Sequence, residues 1–170
     1  MKLFNYVSII VSALFMLLAC SPPPENNLTL QQAVNIETAD ECHLCGMLIS
    51  NFSGPKGELF RKEVTAAASN KVKKFCSTRD MFSFYLDPEN KRNVTTMLVH
   101  DMSKSPWDSA NDKYFINAKS AWFVSGSSQI GAMGKTLASF SNKQDAETFI
   151  NEFGGYLLTF EEIDLSILME

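Results

Sequence analysis

Apolar and polar positions fall into two similar sets between about residue 40 and residue 164. In the first set, Met47-Leu48-Ile49-Ser50 predicts a strand, and a loop carrying Gly54-Pro55-Lys56-Gly57 follows. Gly57-Glu58-Leu59-Phe60-Arg61 predicts a second strand and Lys71-Val72-Lys73-Lys74-Phe75 a third. Ser77-Thr78-Arg79-Asp80 opens a helix, with Ser77 set to cap the first amides and Asp80 to reach back to the cap. Met81, Phe82 and Tyr85 share one helical face, Asp87-Pro88 ends the helix, and residues 94–99 are branched and apolar enough for a strand. The second set repeats the order. Residues 121–125 read as a strand, a loop ends in Gly131-Ala132-Met133-Gly134, and residues 135–140 return as a hairpin partner. Ser141-Asn142-Lys143-Gln144 reads as a capping box, and Ala146, Phe149, Ile150 and Phe153 fall at helical spacing. Gly154-Gly155 stops that helix and residues 156–160 close the set as a strand.

The predicted fold is therefore α+β, with two small similar ββαβ-type units packed together. Their spans are 40–103 and 118–170, joined by a polar linker over 104–117 that holds Pro106 and Trp107. Neither unit is large enough to bury much alone, so each needs the other.

The chain starts with an address. Lys2 precedes an uncharged apolar run over residues 7–18, short for a membrane span and suited to a signal peptide. Leu17-Leu18-Ala19-Cys20 looks like a bacterial lipobox, which makes 1–19 the signal peptide and Cys20 the lipidated residue. Residues 20–39 then form the acylated cysteine and a flexible tether, opened by Ser21-Pro22-Pro23-Pro24. Several acyl chains hold firmly to a bilayer, so membrane attachment is expected through the lipid. Ser21 after the cysteine, where aspartate would favour retention, points to the outer membrane, facing the periplasm.

Composition adds exclusions. With 45% apolar and 20% charged residues the chain is not disordered, and a formal charge of −4 argues against a nucleic-acid partner. Past Cys20 three cysteines remain, Cys42, Cys45 and Cys76, and an odd number cannot all pair within the chain.

Chemistry concentrates in Cys42-His43-Leu44-Cys45-Gly46-Met47, where two thiols, an imidazole and a thioether lie within six residues. Soft monovalent copper prefers thiolate and thioether donors. On an extended chain Cys45 and Met47 would point to one side, about 6.6–6.8 Å apart at Cα. The same residues admit a redox pair or a structural role, although the βαβ setting of a thioredoxin-like motif is missing. Cys76, beside Phe75, reads as a buried small hydrophobe. Met133 sits on a glycine-rich loop, poorly placed for packing and free to swing over an ion. His100, before Asp101, ends a strand and is a further ligand candidate. No acid/base pair or oriented nucleophile is visible, so the chain is expected not to be an enzyme.

The run Cys42-His43-Leu44-Cys45-Gly46-Met47 resembles the C-x-x-C-G-M signature of the NosL family. Matching blocks follow in order: Gly54-Pro55-Lys56-Gly57, Ser77-Thr78-Arg79-Asp80, Val99-His100-Asp101-Met102, Gly131-Ala132-Met133-Gly134, Gly154-Gly155 and Phe160-Glu161-Glu162-Ile163. Ala132 stands where the family pattern usually has proline. The resemblance implies an exported lipoprotein that binds Cu(I) and serves as a copper chaperone in nitrous oxide reductase maturation. A membrane ABC-type assembly complex is the implied partner. It also implies a metal site on Cys45, Met47 and Met133, with Cys42, His43 and His100 as further candidates. The competing reading is a membrane-anchored thiol-disulfide or mercury-handling oxidoreductase using Cys42 and Cys45.

Overall fold

The chain's structure, a computed structural model, describes residues 32–62 and 72–170. The residues read as signal peptide, Cys20 and most of those read as tether lie outside the described residues.

Gly57-Glu58-Leu59-Phe60 forms a strand buried at every position, so it takes the middle of a sheet: β1 (Gly57–Arg61) pairs antiparallel with β2 (Lys73–Phe75) and with β3 (Val94–His100). Between β2 and β3 runs α1 (Thr78–Leu86), which buries Met81 and Phe82, followed by the short α2 (Pro88–Lys91). Asp87 ends α1 and caps α2 by accepting from the Glu89 amide at 2.8 Å. A fourth strand, β4 (Phe115–Asn117), lies outside β3 and gives the order β2-β1-β3-β4.

The second sheet is built the same way. β5 (Trp122–Ser125) leads into a small hairpin, β6 (Ile130–Gly131) and β7 (Gly134–Lys135). β8 (Ala138–Phe140), α3 (Lys143–Phe153) and β9 (Tyr156–Leu158) follow, and α4 (Leu165–Leu168) lies near the end of the chain. β5 is central and antiparallel to both neighbours, in the order β8-β5-β9. Both halves thus run strand, strand, helix, strand with the first strand in the middle. The α+β fold class read from the sequence holds.

Five local expectations differ. Met47-Ser50 is not a strand: Leu48 makes one bridge to Glu41, and Ile49–Asn51 is a 3₁₀ turn. Ser77 caps α1 through the Asp80 amide at 3.0 Å, yet the Asp80 carboxylate accepts from Cys76 instead of closing the box. Asn142, not Ser141, caps α3, because Ser141 is engaged by buried Asp101 through its amide at 2.9 Å and its hydroxyl at 2.6 Å. The closing strand stops at Leu158, and Phe160–Glu162 turns into a 3₁₀ helix. Within the stretch read as a linker, Phe115–Asn117 joins the first sheet as its edge.

One apolar core joins the two sheets. It holds Leu59, Phe75, Met81, Phe82 and Met97 from the first half with Phe123, Leu137 and Leu158 from the second. Phe82 meets Phe123 edge-on at 5.2 Å between centroids and tilts against Phe160 at 5.4 Å. Polar bonds cross the junction too: the Ser139 hydroxyl donates to the His100 carbonyl at 2.6 Å, and the Met102 amide to the Ser139 carbonyl at 2.8 Å. Cys42, Cys76 and Ala132 belong to the same core, so the sulfur chemistry grows out of its rim. Among the described residues no helix is long and apolar enough to cross a membrane.

Candidate metal centre

The loop 42–47 is closed on itself. The Cys42 amide donates to the Met47 carbonyl and the Gly46 amide to the Cys42 carbonyl, both at 2.8 Å, while Glu41 bridges Leu48. The tight return needs a left-handed residue, and Gly46 takes it with φ 73°. Cys45 therefore sits in a turn, and the extended Cys45-Gly46-Met47 geometry expected from the sequence is absent.

The turn is pinned against β2. The His43 amide donates to the Lys74 carbonyl at 2.8 Å, and the Lys74 ammonium pairs with Asp40 at 2.5 Å. This register delivers Cys45 to Cys76, which lies between β2 and the cap of α1. Their sulfurs are 3.6 Å apart. The Cys76 thiol also donates to the Asp80 carboxylate, one helical turn on, at 2.9 Å. The ligand atoms of Cys42, Cys45, Cys76 and Asp80 all lie within 4.8 Å of one another. Cys42 and Cys76 are 2% and 0% exposed, whereas Cys45 is half-buried and faces outward.

The electrostatics separate the two buried thiols. The Cys76 side chain beside it draws the Cys42 thiol down to about 5; burial opposes this, and the amides of Cys76, Cys45 and Leu44 assist. Cys76 is pushed upward, first by the Cys42 sulfur beside it, then by burial and by Asp80, which takes its S–H. The two shifts oppose each other, so the pair gives up one proton readily and holds the other. A cluster of sulfurs with a ready thiolate suits a soft ion.

The other candidates fall elsewhere. His43 is exposed; its Nε2 accepts from the Lys73 ammonium at 2.8 Å, and its ring stands edge-on to Phe75 and Phe84. Burial, then the Lys73 charge, depresses its pKa. His100 is buried with both nitrogens used: Nδ1 accepts from the Lys56 amide at 3.1 Å, so Nε2 carries the hydrogen to Asp112 at 3.0 Å. It offers an ion no free lone pair, and it orders the first sheet instead. Met47 is half-buried in the closed loop. Met133 is 59% exposed at the tip of the β6–β7 hairpin, next to Ala132, which is rooted in the core shared with Cys42 and Cys76.

Cys76 is buried in the core as its sequence suggests, but sequence reasoning did not bring it or Asp80 together with Cys45. The signals were present, namely an unpaired third cysteine and its place at a helix start, but only the register of the Cys42 loop on β2 unites them with Cys45.

An α+β fold of two matching sheets, with a thiol cluster at the core's rim and methionines outside it, defines a protein equipped for soft metal ions. The chain belongs to the NosL family, whose model matches residues 33–168. The copper-binding lipoprotein NosL of Stutzerimonas stutzeri is 43% identical over 156 residues, covering 92% of this chain and 78% of that protein. Its namesake from Achromobacter cycloclastes is 28% identical over 158 residues, 91% of this chain and 78% of that protein. The crystal structure of the copper chaperone NosL from Shewanella denitrificans superposes with a TM-score of 0.76 at 56% identity, covering 85% of this chain and 99% of that one.

Proposed function

We propose that this chain is an envelope lipoprotein that takes up Cu(I) and hands it to a copper-accepting partner, without catalysing a reaction. The observation that carries this reading is the half-exposed Cys45 sulfur, held among two buried thiols and a carboxylate. Cys45 binds the ion as thiolate, Met47 and Met133 close over it as thioethers, and Cys42 supplies a sulfur from the inner side. His43 and His100 are left out, since a lysine and two polar partners already engage them. Cu(I) accepts low and changing coordination numbers, so an incoming sulfur or imidazole adds before Cys45 leaves and no free ion forms. The names of the relatives, copper-binding lipoprotein and copper chaperone, support the cargo and the anchor. Cys20 is the acylated residue in this reading, the anchor lies in the outer membrane facing the periplasm, and the acceptor is the ABC-type assembly complex that serves nitrous oxide reductase.

Anaerobic titration with Cu(I) against a competing chelator tests the proposal. One tight site per chain is expected. Cys45→Ala should weaken it by at least about 100-fold and Met47→Ala by about 10-fold, bracketing the effect of lost outer partners at metal sites. A reduced protein that takes no Cu(I) from the chelator sinks the carrier.

A further inference from the structure

Three thiols meet in a protein whose kin are exported, and exported compartments oxidise thiols. Of the three, Cys45 alone is half-exposed; Cys42 and Cys76 are buried to 2% and 0%. Any disulfide reagent from outside therefore meets Cys45 first. Behind it stands the Cys76 sulfur at 3.6 Å, and a disulfide requires about 2.05 Å. The backbones on both sides are already fixed relative to one another by the His43–Lys74 hydrogen bond and the Asp40–Lys74 ion pair. Closing the gap gives up the Cys76–Asp80 hydrogen bond. The obvious pair in the sequence, Cys42 with Cys45, would instead cross-link a turn that is closed by its own two backbone bonds around left-handed Gly46.

We infer that Cys45 and Cys76 form a reversible disulfide, and that closing it takes the Cu(I) site out of service. The bond forms by thiol–disulfide exchange with a disulfide donor, either a small-molecule disulfide or the disulfide of an oxidising protein. The Cys45 thiolate attacks one donor sulfur, making a mixed disulfide and expelling the other half of the donor as a thiolate. The Cys76 sulfur then attacks Cys45 Sγ and expels the second half. The pair loses two electrons and two protons, and the donor leaves as two thiols. Cys45 no longer has a thiolate to offer, so the oxidised protein cannot load. A bound Cu(I) ion occupies the same sulfur and shields it from the donor. This gating rests on the Cu(I) reading above, whereas the bond itself does not.

The test exposes the purified chain, apo and Cu(I)-loaded, to oxidised glutathione, blocks the remaining thiols and maps the peptides by mass. The expected result is a Cys45–Cys76 cross-link in the apo protein, Cys42 alkylated after unfolding, and protection of the loaded protein. Oxidised protein should take no Cu(I), and reduction should restore binding. Cys76→Ser keeps an O–H donor for Asp80 but removes the second sulfur, so it should stop at the glutathione adduct on Cys45. A map showing Cys42–Cys45 or Cys42–Cys76, or no intramolecular bond, overturns the pair. Oxidised protein that still binds Cu(I) overturns the gate. Reduced protein that binds none defeats the carrier reading and the gate together, while the peptide map still decides the pair.

Discussion

Glu58 lies on the central strand β1 with none of its surface exposed, facing the Val34 amide, which donates to its carboxylate at 3.0 Å, and Lys74 across the β1–β2 ladder. Burial pushes its carboxyl from 4.5 up to about 7; Val34 and Lys74 pull against this, and Asp112 and Asp40 add to it. The sign follows directly. Between these values the unfolded chain has ionised Glu58 while the folded chain keeps the proton, so unfolding releases it and stability falls as pH rises. The contribution is whole below about 4.5 and gone once the pH passes about 7. Thermal melts of the wild type and Glu58→Gln across pH 4 to 8 should converge at the acid end, with the variant gaining on the wild type toward neutrality. Parallel curves would mean that Glu58 does not titrate in this window. The candidate site shows the same contrast between local and long-range effects. The closeness of Cys42 and Cys45 was legible because four residues hold both, whereas Cys76, one helical turn from its partner Asp80, meets Cys42 and Cys45 only across more than thirty positions.

At the level of elements, what is encoded locally was legible and what depends on pairing was not. Ser77, Asp87-Pro88 and the glycine pair after α3 act through bonds within a few residues, and each terminates or starts a helix as its chemistry dictates. Met47-Ser50 has strand-forming side chains but finds only the Glu41–Leu48 bridge, so it cannot build a ladder. Ser141 has the right spacing for a cap, but a buried Asp101 competes for it from across the sheet junction. The two halves were visible as a repeated order of strands and helix, while the central position of β1 and β5 follows only from the pairing. Gly154 and Gly155 give a sharp test of one such junction. Both are left-handed, at φ 74° and 97°. A Cβ on Gly154 meets nothing within 4 Å, but on Gly155 it would lie 2.4 Å from the Ser125 carbonyl oxygen and 2.9 Å from the Ser127 nitrogen. Gly154, at φ 74° and ψ −169°, sits where essentially only glycine goes, so Gly154→Ala should cost about 1–3 kcal/mol from the backbone alone. Gly155→Ala should cost clearly more in urea unfolding, since β5 and β9 must separate to admit the methyl. Equal costs would show that the junction yields.

For the whole molecule, an ion held by Cys45 and Met133 would supply a link that the polypeptide makes only in part. The Cys42 loop hangs from the first sheet, and Met133 rides a hairpin between strands of the second. Ala132 anchors that hairpin in the common core, and the Trp107 indole holds it through the Ile130 carbonyl at 3.0 Å, yet the methionine itself projects outward. An ion shared by Cys45 and Met133 would join the two halves at their rim. Any ligand that binds only the folded state raises stability with the logarithm of its free concentration over Kd, by about 2.7 kcal/mol at a hundredfold excess. Stoichiometric Cu(I), added anaerobically with a buffering chelator, should therefore raise the wild-type Tm by several degrees. Cys45→Ala should lose the rise, while its own apo Tm stays close to that of the wild type, because Cys45 is half-exposed. Met133→Ala is the informative variant: an exposed side chain contributes little to the apo fold, so its melt should match the wild type without copper and fall short of it with copper. Amide exchange should report the same coupling, with protection on β6 and β7 rising when Cu(I) binds and rising less in Met133→Ala. A hairpin that exchanges identically with and without the ion would show that Met133 is no ligand and that Cu(I) is held by the first half of the chain alone.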